Sequence, residues 1–233
     1  MTVEKITHSD GSEISIITNF VEAAKAQVIF AHGAGADMTH EFMNELTELL
    51  NKQKINVLRF NFFYMDRRAL LGKKFPPDRM PKLLDCYRSV IDYLMTQTKS
   101  KSLPLFIGGK SMGSRAAATL LSESEALEQK ALNTIKGAFC LGYPFHPAKK
   151  PEKLRLEPLQ GASKPILIVQ GERDTLGNKE EVLSYSLSEL CQNVFLADGD
   201  HSLKPRVKSG FTHDEHMKSA AKYISKFIDL HSR

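Results

Sequence analysis

The sequence predicts an open α/β sheet of about eight mostly parallel strands with helices on both faces. Short apolar runs alternate with amphipathic segments, and the later runs are continuously apolar, as in strands covered on both faces. The 233 residues are 42% hydrophobic and 25% charged, a balance that suits a globular fold with one core. We therefore expect a single domain over residues 1–233.

The predicted strands divide into a hairpin and six later runs. Residues 3–8 and 13–18 flank Asp10-Gly11, a dipeptide that favours a tight turn, so their contact is predicted to be antiparallel. The later strands are predicted at residues 27–31, 56–60, 105–108, 138–141, 165–170 and 193–197.

Helices are predicted between these strands. In the first, Phe42, Leu46, Leu49 and Leu50 share one helical face, which should cover the sheet. Right-handed crossovers would then place helices on both faces. The predicted helices span residues 38–52, 80–98, 113–122, 179–191 and 214–230. The proline-rich stretch 142–164 is expected to be a surface excursion.

Composition favours a soluble, cytoplasmic protein without a membrane partner. No apolar run approaches the roughly 20 residues that a membrane helix needs, and the polar start has no signal-peptide core. The cysteines, Cys86, Cys140 and Cys191, are odd in number and widely spaced. This pattern offers neither a disulfide framework nor a CxxC metal clamp.

The sharpest motif is G-x-S-x-G, at Gly109, Ser111 and Gly113. It follows an apolar strand and leads into helix-forming alanines, the context of a serine nucleophile on a sharp strand-to-helix turn. Small residues on either side are needed because a β-carbon there would clash with adjoining backbone. Ser111 is thus the predicted nucleophile. Gly109-Lys110-Ser111 could also end a phosphate-binding loop, but Pro104 occupies the position of that loop's first glycine.

A general base and an orienting acid follow in the expected order. Asp174 lies just past the strand 165–170, and His201 lies just past the strand 193–197. We predict that His201 activates Ser111 and that Asp174 orients His201. Three further acids near these strand ends, Glu172, Asp198 and Asp200, are alternatives, although the two aspartates are interpreted as turn residues.

The oxyanion of a tetrahedral intermediate needs two hydrogen-bond donors. The small-residue loop that begins at His32-Gly33 follows a strand and lets a backbone N–H approach the substrate. We assign the donors to the amides of Ala34 and Met112, the latter being the residue after the nucleophile. His32 is predicted to brace this loop and not to act as a base.

These motifs resemble the α/β-hydrolase superfamily, in particular its small dienelactone-hydrolase-like members. They are also similar to bacterial hydrolases related to the testis-expressed protein thirty group and to a hydrolase-like domain in a chromatin acetyltransferase complex. The resemblance implies an eight-stranded α/β-hydrolase fold and a serine hydrolase mechanism. Many hydrolases of this fold carry a cap domain after the sixth strand, but residues 143–164 are too few for a large one. Some relatives look like interaction subunits, so a non-catalytic binding module is the alternative function.

The substrate is expected to be a small acyl compound, with an anionic one favoured by charge. Lys and Arg are in excess in residues 65–82, 144–164 and 202–210, which follow strand ends, whereas the whole chain carries a net +5. Ordinary solvated loops would give the same pattern. Candidate substrate-binding residues are Met38, Phe42, Lys110 and Phe145, with Lys110 expected partly exposed at the site entrance.

No cofactor, metal or nucleic-acid partner is predicted. His213 and His216 lie three residues apart but lack a third ligand, so they are interpreted as part of a solvated helix end. Aromatic residues flank the first basic segment, yet no nucleic-acid-binding motif is present. The sequence leaves the oligomeric state open, and a homodimer is compatible with it.

Overall fold

A computed structural model describes residues 2–97, 102–122 and 134–232. Eight strands form one sheet in the order β1-β2-β4-β3-β5-β6-β7-β8. β2 runs antiparallel to both of its neighbours, and all pairs from β4 to β8 are parallel. The strands are β1 (Glu4–Thr7), β2 (Glu13–Asn19), β3 (Ala26–Ala31), β4 (Ile55–Phe60), β5 (Leu105–Lys110), β6 (Ile135–Leu141), β7 (Ile166–Gly171) and β8 (Cys191–Leu196).

All eight predicted strands are present, and the mostly parallel sheet confirms the predicted fold class. The antiparallel hairpin pairs Thr7 with Glu13, and Gly11 in its turn has a φ of 85°, which glycine adopts without strain. β3, β4, β5, β6 and β7 are buried almost throughout, in agreement with their continuously apolar sequences.

Two buried clusters, one on each face of the sheet, hold the helices. Phe42, Leu46 and Leu50 of the first helix pack in one cluster with Met217 and Ile224 of the last helix. The other cluster contains the apolar faces of the third and fourth helices. The helices are α1 (Glu41–Lys52), α2 (Phe63–Leu71), α3 (Met80–Thr96), α4 (Met112–Ser122), α5 (Glu157–Gln160), α6 (Lys179–Ser184) and α7 (His213–His231), with a 3₁₀ turn at Val207–Ser209.

Local capping explains where several helices begin. In α7, the Thr212 hydroxyl accepts from the Glu215 N–H while the Glu215 carboxylate accepts from the Thr212 N–H. Asn178 and Glu181 form the same reciprocal pair at the start of α6. α2 ends at Gly72, whose φ of 60° lies in the left-handed region.

Two expectations about local structure are wrong, one helix was not predicted, and one predicted helix end lies outside the described residues. The helix predicted over 179–191 ends at Ser184, because Tyr185 and Leu187 pack on the core from an extended segment and Cys191 begins β8. Helix α2 was not predicted. The stretch 142–164 is not wholly on the surface, since Tyr143 and Phe145 are fully buried. Helix α3 ends at Thr96, and the predicted last residue, Thr98, lies outside the described residues.

The fold has no large cap: the segment between β6 and β7 contains one four-residue helix, α5. No helix in the described part of the chain is both long enough and apolar enough to cross a membrane.

Candidate active site

Ser111 is the single residue between β5 and α4. Its φ of 54° lies in the left-handed region, which non-glycine residues seldom adopt. The turn is possible because its neighbours lack side chains. A β-carbon on Gly109 would lie 2.2 Å from the Gly113 carbonyl carbon, and one on Gly113 would lie 2.5 Å from the Ala31 carbonyl oxygen. The turn projects a half-buried serine hydroxyl at the carboxyl edge of the sheet.

Ser111, His201 and Asp174 form a hydrogen-bonded chain. Ser111 Oγ lies 2.8 Å from His201 Nε2, and His201 Nδ1 lies 2.8 Å from Asp174 Oδ2. Because a carboxylate can only accept, the Nδ1–H of the imidazole donates to Asp174, which leaves Nε2 to accept from the serine hydroxyl. The Asp174 side chain is fully buried, whereas 28% of the His201 side chain is exposed. The arrangement can move a proton between the serine and the imidazole.

Gln170 holds the buried carboxylate in place. Its Nε2 donates to Asp174 Oδ2 at 2.9 Å, while the Leu176 N–H donates to Asp174 Oδ1 at 2.8 Å. Gln170 Oε1 accepts from the Tyr143 N–H at 2.8 Å. The sequence analysis missed Gln170, because a glutamine at the end of an apolar strand belongs to no motif.

The alternative acids have other partners. Glu172 accepts from Lys179 Nζ at 2.8 Å and from the Asp198 N–H at 3.1 Å. Asp198 pairs with Arg206. Hydrogen bonds from the side chain and the backbone N–H of Arg206 lower the pKa of Asp198 to about 2. Asp200 accepts from the backbone N–H groups at 202 and 204, within its own turn. Of the four acids, Asp174 is the one bonded to the His201 ring.

Lys110 is partly exposed, lines the cavity beside Ser111 and contacts the His201 loop. Its ammonium donates to the His201 carbonyl at 2.6 Å and lies 5.7 Å from the centre of the Phe42 ring. Burial lowers the pKa of Lys110 to about 8, although Asp174 and Asp200 oppose this shift. The partial exposure of Lys110 agrees with the expectation from the sequence.

Two histidines on α7 brace the same loop. His216 is buried, and its Nδ1 lies 2.8 Å from the Leu203 carbonyl, while His213 Nε2 lies 3.2 Å from the Ser202 carbonyl. The interpretation as a solvated helix end is therefore wrong for His216, which faces the loop across the first turn of α7. No cluster of three or more potential metal ligands occurs among the described residues.

The loop after β3 turns its carbonyls away from Ser111. The Tyr64 hydroxyl lies 3.3 Å from the Gly33 carbonyl and 3.1 Å from the Ala34 carbonyl, and Arg68 also approaches the latter at 3.5 Å. In the part of the chain that the structure describes, neither the Ala34 N–H nor the Met112 N–H donates to a protein acceptor. Both amides are therefore available to a ligand beside Ser111.

His32 is fully buried behind this loop. Its Nε2 accepts from the Phe62 N–H at 3.1 Å, and its Nδ1 lies 2.6 Å from the Gly33 carbonyl, so the neutral ring satisfies both partners. Burial lowers the pKa of His32 to about 4. A histidine held neutral between two backbone groups fits the predicted brace.

Two cavities meet at Ser111 and Ala34. The first, of about 660 Å³, lies against α1 and is called the α1 cavity. It contains His201 and Lys110, and three acidic side chains line its outer part: Asp37, Glu41 and Glu45. The second, of about 460 Å³, is called the arginine cavity. Its charged lining consists of Asp78, Arg79, Arg115 and Arg155.

The predicted substrate-binding residues separate into two groups. Phe42 and Lys110 line the α1 cavity. Met38 and Phe145 line neither of these two cavities: both are buried, and the Phe145 ring packs on Tyr143 and Tyr185. Arg115, which was not singled out from the sequence, does line a cavity beside Ser111.

Comparison with known proteins identifies the family of this chain. The family described as Alpha/beta hydrolase domain matches residues 24–229, and the chain belongs to this family.

Several solved structures share the fold. A dienelactone hydrolase from Anabaena variabilis superposes with a TM-score of 0.73 at 17% identity, over 100% of this chain and 99% of that chain. An esterase from Pyrococcus furiosus gives a TM-score of 0.70 at 20% identity, over 100% and 90% of the two chains. A serine hydrolase without a lid from Xanthomonas campestris gives a TM-score of 0.67 at 16% identity, over 98% and 94%. These structures show that the chain shares their fold.

Proposed function

We propose that this protein is a serine hydrolase that cleaves carboxylic esters or thioesters through an acyl-enzyme. The observation that carries the proposal is the chain of two 2.8 Å hydrogen bonds from Ser111 through His201 to the buried Asp174. A serine hydroxyl is a weak nucleophile until an adjacent base takes its proton.

In the proposed mechanism, Ser111 Oγ attacks the substrate carbonyl carbon while His201 Nε2 takes the hydroxyl proton. The buried Asp174 carboxylate keeps the ring in the Nδ1–H tautomer and stabilises the imidazolium that forms. The negative oxygen of the tetrahedral intermediate accepts from the amides of Ala34 and Met112.

His201 then donates its proton to the leaving oxygen or sulfur as that bond breaks, which leaves the acyl group on Ser111. A water molecule, deprotonated by His201, attacks the acyl-enzyme in the same way and releases the acid. The two steps together use groups of this chain, the substrate and one water molecule.

Within the family, we propose a place among the dienelactone-hydrolase-like members related to the testis-expressed protein thirty group. The sequence around Ser111, Gly109-Lys110-Ser111-Met112-Gly113, supports this placement. All three cysteines are free thiols, which favours a reducing compartment, and we propose the cytoplasm.

A fluorophosphonate probe tests the proposal because it labels only an activated serine. The wild-type protein should be labelled, and Ser111→Ala and His201→Gln should not. Hydrolysis of p-nitrophenyl esters and thioesters should depend on the same two residues. A folded wild-type protein that neither reacts with the probe nor hydrolyses any of these compounds would favour the non-catalytic binding module.

A further inference from the structure

We propose that Arg115 and Arg155 bind a carboxylate on the acyl part of the substrate, so that the preferred substrates are monoesters or monothioesters of dicarboxylic acids. This proposal rests on the proposed hydrolase function, because it names the substrate class of the same Ser111 site.

Arg115 and Arg155 both line the arginine cavity. Within residues 2–97, 102–122 and 134–232, neither side chain donates a hydrogen bond to the protein or pairs with a carboxylate. Arg115 Nε is buried and has no hydrogen-bond partner. Buried donors are normally satisfied, so an unpaired guanidinium in a cavity points to a ligand that supplies the acceptor.

Among the residues with described positions, no carboxylate pairs with either arginine. Burial lowers the pKa of Arg155, and the positive charge of Arg115 lowers it further, which shows that the two guanidinium groups repel each other. Asp78 lines the same cavity, but it already accepts from Arg67 Nη2 at 2.6 Å and from the Tyr64 N–H at 3.0 Å. The exposed Arg79 adds a third positive charge to the cavity. An anion bound here would relieve this repulsion.

The rest of the lining indicates what connects the anion to the ester. Met80, Leu83 and Met112 lie in the arginine cavity together with the arginines and Ser111. Apolar side chains beside a guanidinium pair suit a short hydrocarbon chain that ends in a carboxylate. The planar guanidinium forms paired N–H bonds that match the two carboxylate oxygens.

The position of His201 assigns this cavity to the acyl group. The group that leaves must receive the proton from His201, so it must lie on the His201 side of the tetrahedral carbon. His201 lines the α1 cavity, whereas Met112, one of the proposed oxyanion donors, lines the arginine cavity. The alcohol or thiol thus occupies the α1 cavity, and the acyl chain extends towards Arg115 and Arg155.

The test compares the p-nitrophenyl monoester of glutaric acid with p-nitrophenyl pentanoate, which has the same chain length and no charge. We expect the ratio of their kcat/KM values to favour the glutarate ester. Arg115→Gln and Arg155→Gln should each lower this ratio by about 10- to 100-fold, the range for losing a hydrogen bond to a charged group. Arg115→Lys keeps the charge and should lower it less. The ratio cancels any effect that both esters share.

Lys73→Gln is the matched control, because Lys73 is exposed, lies in the same basic segment, 65–82, and lines neither cavity. It should change the ratio less than twofold. Equal ratios for the wild-type protein and both arginine variants, or an equal loss in Lys73→Gln, would overturn the carboxylate subsite while leaving hydrolysis intact.

The subsite can also be tested without turnover. If neither ester is hydrolysed, the proposed function fails, and calorimetry with monomethyl glutarate on the wild-type protein decides about the subsite. Saturable binding that Arg115→Gln abolishes would retain it, and no binding at millimolar ligand would overturn it.

Discussion

The two cavities beside Ser111 share Ala34 and Ser111 in their linings, and their other lining residues differ. The α1 cavity is built by the loop after β3, helix α1 and the His201 loop, and its outer part carries Asp37, Glu41 and Glu45. The arginine cavity is built by α3, α4 and the segment after β6, and it carries three arginines against one aspartate. Lys110 and Lys204 also line the α1 cavity, but only in the arginine cavity do lysine and arginine side chains outnumber the acidic ones. We therefore expect a substrate with a negative charge on its acyl end to prefer the orientation that places this charge in the arginine cavity.

Residues that serve both cavities should affect all substrates alike. Asp174→Asn keeps the shape of the side chain but removes the charge that stabilises the imidazolium, so we expect kcat/KM to fall about 10³- to 10⁴-fold. The fall should be the same for the glutarate ester and for pentanoate. Steady-state kinetics on both esters would measure it.

Glu172→Gln is the control for this experiment, because Glu172 was an alternative acid and pairs with Lys179 away from the imidazole. It should change kcat/KM less than about threefold. A larger loss in Glu172→Gln than in Asp174→Asn would show that the orienting acid is misassigned.

The turn that carries Ser111 should not tolerate an added methyl group at Gly113. In Gly113→Ala the new β-carbon would lie 2.5 Å from the Ala31 carbonyl oxygen and 2.6 Å from that of His32. We expect the free energy of unfolding to fall by about 3 kcal/mol, since backbone on both sides must shift. Urea unfolding followed by circular dichroism would measure this.

Gly35→Ala is the matched comparison, because no atom lies within 4 Å of its added β-carbon. Its unfolding free energy should stay within about 0.5 kcal/mol of the wild-type value. Equal destabilisation of the two variants would contradict the steric account of the turn.

Burial of His32, which lines the α1 cavity, should make the stability of the fold sensitive to acid. His32 has a folded-state pKa of about 4, lowered by burial from 6.5, so the unfolded chain takes up the proton first as the pH falls. The corresponding stability is present in full above pH 6.5 and is lost as the pH falls to 4, by about 3 kcal/mol. In His32→Gln this part of the acid destabilisation should disappear. Urea unfolding at pH 7.5 and pH 4 would show it, and an unchanged difference between the two pH values would rule it out.

The smallest effect should arise at the outer part of the α1 cavity. Glu45→Gln removes a negative charge from the region assigned to the leaving group, so a cationic leaving group should lose its advantage. We expect the preference for choline butyrate over 3,3-dimethylbutyl butyrate, a neutral compound of the same shape, to fall about two- to fivefold. Glu48→Gln, on the exposed side of α1 and outside both cavities, should leave the preference unchanged. The same fall in both variants would indicate general steering and not the cavity.

The parts predicted from the sequence are those that follow from local chemistry. Continuous apolar runs predict buried strands, and glycine, serine, aspartate and histidine just past strand ends predict groups at one edge of a parallel sheet. The structure brings Ser111, Asp174 and His201 together at that edge.

The missed residues act through distant contacts. Gln170 and Arg115 have no distinctive local sequence, and some of their neighbours are distant in the chain. Gln170 bonds to Tyr143, and Arg115 shares its cavity with Met80 and Leu83. Phe145 lies in a proline-rich stretch that looks like a surface loop, yet its ring fills a space between Tyr143 and Tyr185. Helix α6 stops early because the core takes up Tyr185 and Leu187, which a periodicity argument cannot anticipate.

The backbone of Ser111 has a consequence for how the protein fails under stress. A left-handed φ at a residue with a side chain costs roughly 1–2 kcal/mol, and the surrounding strand and helix must hold it there. When these supports loosen, the turn relaxes towards ordinary backbone angles and withdraws the hydroxyl from the rim. The reactivity of Ser111 should therefore be lost at a lower denaturant concentration than the one that unfolds the sheet.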